Sequence, residues 1–245
     1  MNSNSLGIPI AIVISAIIIG GAIYFSSSSP SAPTTLDATG ADEGMPTIEP
    51  ITEDDHIRGN PNAPIMLVEY SDYDCPFCRI FHDTMNRVML EYGTDGDVAW
   101  AFRHFPIDSL HPDAPKIAEA SECVAELGGN DAFWTFSDAL NDSREITYGT
   151  NGQVTAVEPT DMSRLSEFAA TAGVDQGQFE LCYNSDKYSD VIAADVNAAI
   201  AAGGTGTPYT VVLVGDQVIG TINGAQPYAQ VKQNIEGLLS QIGNQ

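Results

Sequence analysis

The sequence predicts an α/β domain in which a β-α-β unit and a β-β-α unit flank a long helical tract. Three observations carry this. The apolar, β-prone run Ile65 to Asp72 gives way to a segment in which Ile80, Phe81, Met85, Val88, Met89 and Tyr92 recur at helical steps. Asp97 to Phe105 alternates as a strand does and stops at Pro106. Near the end, Val211–Val214 and Gln217–Ile222 flank Gly215-Asp216, a tight hairpin, before a helix from Tyr228 to about Ile242 with Val231, Ile235, Leu238 and Leu239 inward.

Ahead of this domain the composition changes. The first 57 of the 245 residues contain no Lys, Arg or Cys. Gly7 to Phe25 is apolar except at Ser15 and long enough to cross a bilayer as a helix, so residues 1–25 read as an uncleaved anchor, with a cleaved signal segment as the rival. Residues 26–54, rich in Ser, Thr, Pro and Ala, read as a flexible linker, and residues 55–243 as the domain. The expected location is a single-pass membrane protein with its domain outside the cytosol, or a secreted one if the segment is removed. Formal net charge is −24 with only three lysines, which disfavours nucleic acid and anionic membrane surfaces as partners and favours solubility.

The chemistry-bearing stretch is Cys75-Pro76-Phe77-Cys78, at the start of the first helix. Free backbone N–H groups there favour an anion, so Cys75 is the expected thiolate, with Cys78 one turn on as the resolving thiol. Pro76 suits the first helical position, where its missing N–H has no partner to lose. Two other readings stand beside a redox pair. A zinc site could take Cys78 and His82, but no second Cys/His pair lies at short spacing. A structural disulfide closing so small a loop would remove little unfolded-state entropy.

Gly59-Asn60-Pro61-Asn62-Ala63-Pro64, the strand carrying Glu69, and Asp72-Tyr73-Asp74 before the Cys pair together resemble the DsbA-like branch of the thioredoxin superfamily. The resemblance spans roughly residues 55–243. It implies a thioredoxin fold with a helical insertion, here about 112–202, and extracytoplasmic thiol–disulfide exchange through a Cys75–Cys78 disulfide, with no metal or organic cofactor. It assigns Glu69 to proton movement at the second cysteine. It assigns Thr207-Pro208, after Gly203-Gly204-Thr205-Gly206, to a cis-proline that faces the pair and offers backbone to an extended substrate. The implied partners are reduced or unfolded extracytoplasmic proteins and a membrane oxidase for recycling, with the chain a monomer. A reductase or isomerase could use the same residues, and a peptide-binding holdase without redox turnover is the reading from another class.

The remaining features read more plainly. Asp72 and Asp74 oppose a thiolate and Arg79 favours it, with solvated loop or helix surface the expected place for the two acids. Phe77 offers the thiolate neither charge nor hydrogen bond. His82 reads as helix surface, and His104 and His111 as surface or structural groups. In the insertion, Ala114–Leu127 ends at Gly128-Gly129, and Asp131–Leu140 brings Phe133, Trp134 and Phe136 as core. Residues 142–160 read as loop, and Asp161–Thr171 and Gln176 to about Ala202 as two further helices. Cys123 and Cys182, the two cysteines left over, are expected to pair in an oxidising compartment.

Overall fold

In the computed structural model, which describes residues 45–244, the apolar strand runs assemble into one mixed sheet. Its strands are β1 (His56–Gly59), β2 (Ile65–Ser71), β3 (Val98–His104), β6 (Tyr209–Val214) and β7 (Gln217–Asn223), in the order β1-β3-β2-β6-β7. Only β2 and β3 are parallel, joined by helix α1 (Pro76–Val88) and a π-helical turn at Met89–Gly93. A parallel pair needs such a crossover. The anchor expected at residues 1–25 lies outside the described residues, among which no helix is long and apolar enough to cross a membrane.

The two-residue period of β2 sorts its side chains between two cores. Ile65 and Leu67 join Phe81, Met85 and Val88 of α1, Trp100 and Phe102 of β3, and Val231, Ile235 and Leu238 of α6 (Tyr228–Ile242). Met66, Val68 and Tyr70 join Val211, Leu213, Ala199 and Ala202 on the opposite face. Glu69 shares its strand face with Ile65 and Leu67, and therefore points towards α1.

Between β3 and β6 lies the helical insertion: α2 (Ala114–Ser143), α3 (Leu165–Thr171), α4 (Gln176–Tyr183) and α5 (Ser189–Ala201). Gly129, at φ 77°, breaks the helical path of α2 where the sequence places its stop. Phe133, Trp134 and Phe136 are buried in the core, with Trp134 4.6 Å from Trp100 between ring centres. Cys123 of α2 and Cys182 of α4 form a disulfide.

Several boundaries differ from the sequence reading. The stretch 142–160, read as loop, contains a hairpin of β4 (Ile146–Tyr148) and β5 (Val154–Val157). Both strands are short and largely exposed, so they lack the buried alternation that reveals a strand. The single helix expected over 176–202 is interrupted between Tyr183 and Ser189, where Asp186 takes φ 54°. The linker expected through residue 54 is laid on the domain from residue 45 onward. Ile48 and Ile51 pack against the second core, and the carbonyls of Glu49 and Pro50 each accept from Arg103 at 3.0 Å.

The Cys123–Cys182 bond closes a loop across 59 residues, and loop-closure entropy sets an upper bound of about 4 kcal/mol on its stabilisation. Replacing both cysteines by serine is expected to cost roughly 2–4 kcal/mol in denaturant unfolding. An unchanged midpoint would show that the bond constrains little of the unfolded chain.

Candidate active site

Strand register brings the site together. β6 runs antiparallel to β2 with Tyr70 opposite Tyr209, so the residues following β2 and those preceding β6 share one end of the sheet. The first group is the Asp72–Cys78 segment and the second is Thr207-Pro208, whose peptide bond is cis. The Cys75 Sγ donates to the Thr207 carbonyl oxygen at 3.6 Å. The position before this proline thus offers its backbone beside the sulfur.

Cys75 occupies the N-cap of α1 and Pro76 its first turn. Neither cysteine is in a disulfide; both are buried, with Cys78 one turn further into the helix. In this arrangement the Cys75 thiol falls from 9.0 to about 6. The largest cause is the Cys78 thiol, which donates to it. Burial opposes the shift, while the Thr207 side chain and the backbone N–H groups of Cys78 and Phe77 assist it. The Thr207 hydroxyl has no other partner among the described residues and can donate once Cys75 ionises. Cys78 moves the other way, well above its ordinary value, because it is buried, because it is the donor, and because Cys75 and Glu69 are anionic neighbours. One sulfur is a thiolate near neutral pH and its neighbour stays a thiol.

Glu69 lies beneath them, 1% exposed. Burial raises its carboxyl from 4.5 to about 7, against partial compensation from the Ser71 hydroxyl and Trp100 indole, and the Cys75 charge raises it further. Among the described residues its Oε2 has no hydrogen-bond partner. A carboxyl near neutrality beside a high-pKa thiol is suited to exchange a proton with it.

The loop that presents Cys75 is fixed by charges the sequence reading places in solvent. Asp72 is 1% exposed and accepts from the Asp74 N–H at 2.8 Å, the Ile107 N–H at 2.9 Å and His111 Nδ1 at 2.8 Å. Asp74 accepts from the Thr160 N–H at 2.7 Å. These protein donors fix the two carboxylates in place. His82 is also buried, its Nε2 bonded to Asp138 at 2.8 Å and its ring against Trp100. Arg79 pairs with Asp83 one turn along and donates to the Arg144 carbonyl at 3.3 Å. Phe77 is 62% exposed beside the pair.

Arg144 escaped the sequence reading. It is 1% exposed, just past α2, and its guanidinium donates to the Tyr73 carbonyl, to Asp74 O at 2.7 Å, to Cys75 O at 3.3 Å and to Glu158 O at 2.9 Å. The planar fork spans the backbone of the presenting loop and ties it to the β4–β5 hairpin. An isolated arginine in a polar stretch carries no signal of this, because its partners lie 69 to 71 residues away along the Cys75 loop.

Comparison with known proteins gives a consistent fold and an unexpected set of sequence relatives. Residues 51–237 match the family model described as Thioredoxin. The oxidised crystal structure of BdbD from Bacillus subtilis is similar with a TM-score of 0.64 and 22% identity, over 81% of this chain and 100% of that one. The alpha-DsbA1 of Wolbachia pipientis has a TM-score of 0.61 and 25% identity, over 78% and 94%. A Na(+)/H(+) antiporter NhaA 1 of Mycolicibacterium gilvum is 35% identical over 166 residues, 63% of this chain. The chain spans only about 24% of that relative's length.

Two substitutions test this geometry. Above pH 7 the folded protein holds a buried carboxylate, whereas below pH 4.5 Glu69 is neutral whether folded or unfolded. Because the folded pKa is raised, stability falls as pH rises between these values. Glu69→Gln is therefore expected to be neutral at pH 4 and stabilising by about 3 kcal/mol at pH 8, as measured by denaturant unfolding. A pH-independent difference would contradict burial as the cause. Arg144→Lys keeps a positive charge but cannot span the same carbonyls; a loss of roughly 2–3 kcal/mol is expected, and full stability would rule out the fork as the clamp.

Proposed function

The chain belongs to the thioredoxin family, as a DsbA-like thiol–disulfide oxidoreductase, and on that premise we propose that it donates disulfides to reduced proteins outside the cytosol. The observation that carries this reading is the asymmetry of the pair, a Cys75 thiol at about 6 beside a Cys78 thiol raised well above 9.0. A thiolate stabilised only when the pair is reduced makes that form the favoured one, and the disulfide correspondingly oxidising.

The exchange proceeds in two steps. A substrate thiolate attacks Cys75 Sγ of the Cys75–Cys78 disulfide, and Cys78 leaves and takes a proton, for which Glu69 is the nearby donor. The second substrate thiolate then attacks the substrate sulfur of the mixed disulfide and releases Cys75 as a thiolate. The substrate has lost two electrons, the pair has gained them, and Glu69 regains its proton from solvent. During attack the Thr207 backbone pairs with an extended substrate segment as an added strand would. Exposed Phe77 offers that segment apolar surface.

Placement outside the cytosol is supported by the Cys123–Cys182 bond, of a kind that reducing compartments do not keep, and by the apolar run Gly7–Phe25. A membrane oxidase would return the pair to its disulfide. Antiport is not part of the proposal, since the similarity to the antiporters occupies a minor part of their length.

The test is the equilibrium potential of the full chain, in mild detergent, against glutathione buffers. A Cys75 thiol at about 6 lies between the nucleophilic thiols of thioredoxin, at about 7, and of DsbA, at about 3.5. The expected potential accordingly lies between about −270 and −120 mV. A value at or below about −270 mV would make the protein a reductase and overturn the proposed direction.

A further inference from the structure

A second cluster of reactive side chains lies away from the cysteine pair. His56 of β1, His104 at the end of β3 and Glu122 of α2 meet between the sheet and the insertion. The Glu122 Oε1 is 2.7 Å from His56 Nε2 and 2.8 Å from His104 Nε2. All three potential ligand atoms lie within 4.8 Å of one another. His104 is fully buried, and the side chains of His56 and Glu122 are each 13% exposed.

Surrounding groups fix the orientation and the field. The His56 ring stacks on Phe133 with centres 3.6 Å apart, and the backbone N–H of His104 donates to Asp195 Oδ2 at 2.9 Å. His56 and Glu122 open onto a cavity of about 610 Å³, which Glu49, Asp54, Asp55, Glu126 and Asp195 also line, with Arg103 the basic residue among its walls. Arg103 is already paired with Asp55 at 2.7 Å. Glu126 is likewise paired with Lys187, and Glu49, Asp54 and Asp195 leave the cavity an acidic surplus that favours a cation.

We propose that His56, His104 and Glu122 form a three-ligand site for a divalent transition metal of the zinc type, with its fourth position open to the acid-lined cavity. Two imidazole nitrogens and one carboxylate are the ligand set of a borderline metal, whereas calcium and magnesium prefer oxygen alone. Both Nε2 atoms converge on one carboxylate oxygen, so a single ion takes the place of the two protons they share with it. Zinc bonds of about 2.0–2.2 Å in a tetrahedral arrangement require the carboxylate to retreat by about half an ångström. The cavity gives it that room. Bound metal joins β1, the central sheet and the insertion at one point, independently of the Cys123–Cys182 bond.

The experiment uses the chelator-stripped full chain in mild detergent, with Cys75–Cys78 oxidised so that no thiolate competes. Zn²⁺ and Co²⁺ are the probes. The expected result is one Zn²⁺ per chain, retained against excess Ca²⁺ and Mg²⁺, with a Zn²⁺-dependent rise in melting temperature. Co²⁺ should show the visible bands of a low-coordinate site without a thiolate charge-transfer band. Substituting His104→Ala or Glu122→Gln removes a direct ligand, so affinity should fall by more than the roughly 10- to 100-fold that loss of an outer-shell partner costs. Failure to retain Zn²⁺, displacement by equimolar Ca²⁺, or unchanged affinity in folded variants would each overturn the site. Where a variant does not fold, the wild-type Co²⁺ spectrum and melting shift decide, and absence of both overturns it.

Discussion

The chemistry of the site depends on the unequal surroundings of two neighbouring sulfurs. Cys75 stands at the N-cap of a helix beside Thr207, and Cys78 lies one turn in and accepts from the Asp72 N–H at 3.4 Å. Were the two environments alike, neither thiol would be preferred as nucleophile, leaving group or proton carrier. Burial by the sheet keeps Cys78 protonated, while the first-turn N–H groups and Thr207 keep the charge on Cys75. The rest of the fold can be understood as what holds that inequality in place.

Three features do so. The antiparallel register of β2 and β6 delivers Thr207 to the sulfur without any loop having to search for it. The strand alternation of β2 turns Glu69 beneath the helix, where dehydration brings its carboxyl towards neutral pH. Buried Arg144 and Asp72 both hold the turn between β2 and α1, one through its carbonyls and the other through N–H groups and His111. Breaking either leaves polar groups unpaired in the interior, so the turn's conformation is imposed rather than chosen locally.

Much of this was legible in the sequence, for identifiable reasons. The strand before Cys75 and the helix after it announce themselves by periodicity, and Pro76 and Gly128-Gly129 mark a helix start and break by their backbone limits alone. Edge strand β1 was not legible because His56–Gly59 has no alternation of its own and owes its form to pairing with β3. Asp72, Asp74, His82 and Arg144 were not legible because a charged residue's burial is decided by partners far along the chain. For His82 that partner is 56 residues away, and for Asp72 the histidine is 39 away. Local sequence carries the elements; the polar interior is a property of their assembly.

The central claim is the inequality of the two thiols, and the pH dependence of alkylation tests it most directly. The reduced full chain would be labelled at intervals from pH 4 to pH 10, with Cys75 and Cys78 quantified separately by mass spectrometry. The account predicts that the Cys75 rate rises with a midpoint near pH 6 and that Cys78 stays unreactive across neutral pH. A Cys75 midpoint near its ordinary 9.0, or equal labelling of both sulfurs, would contradict it.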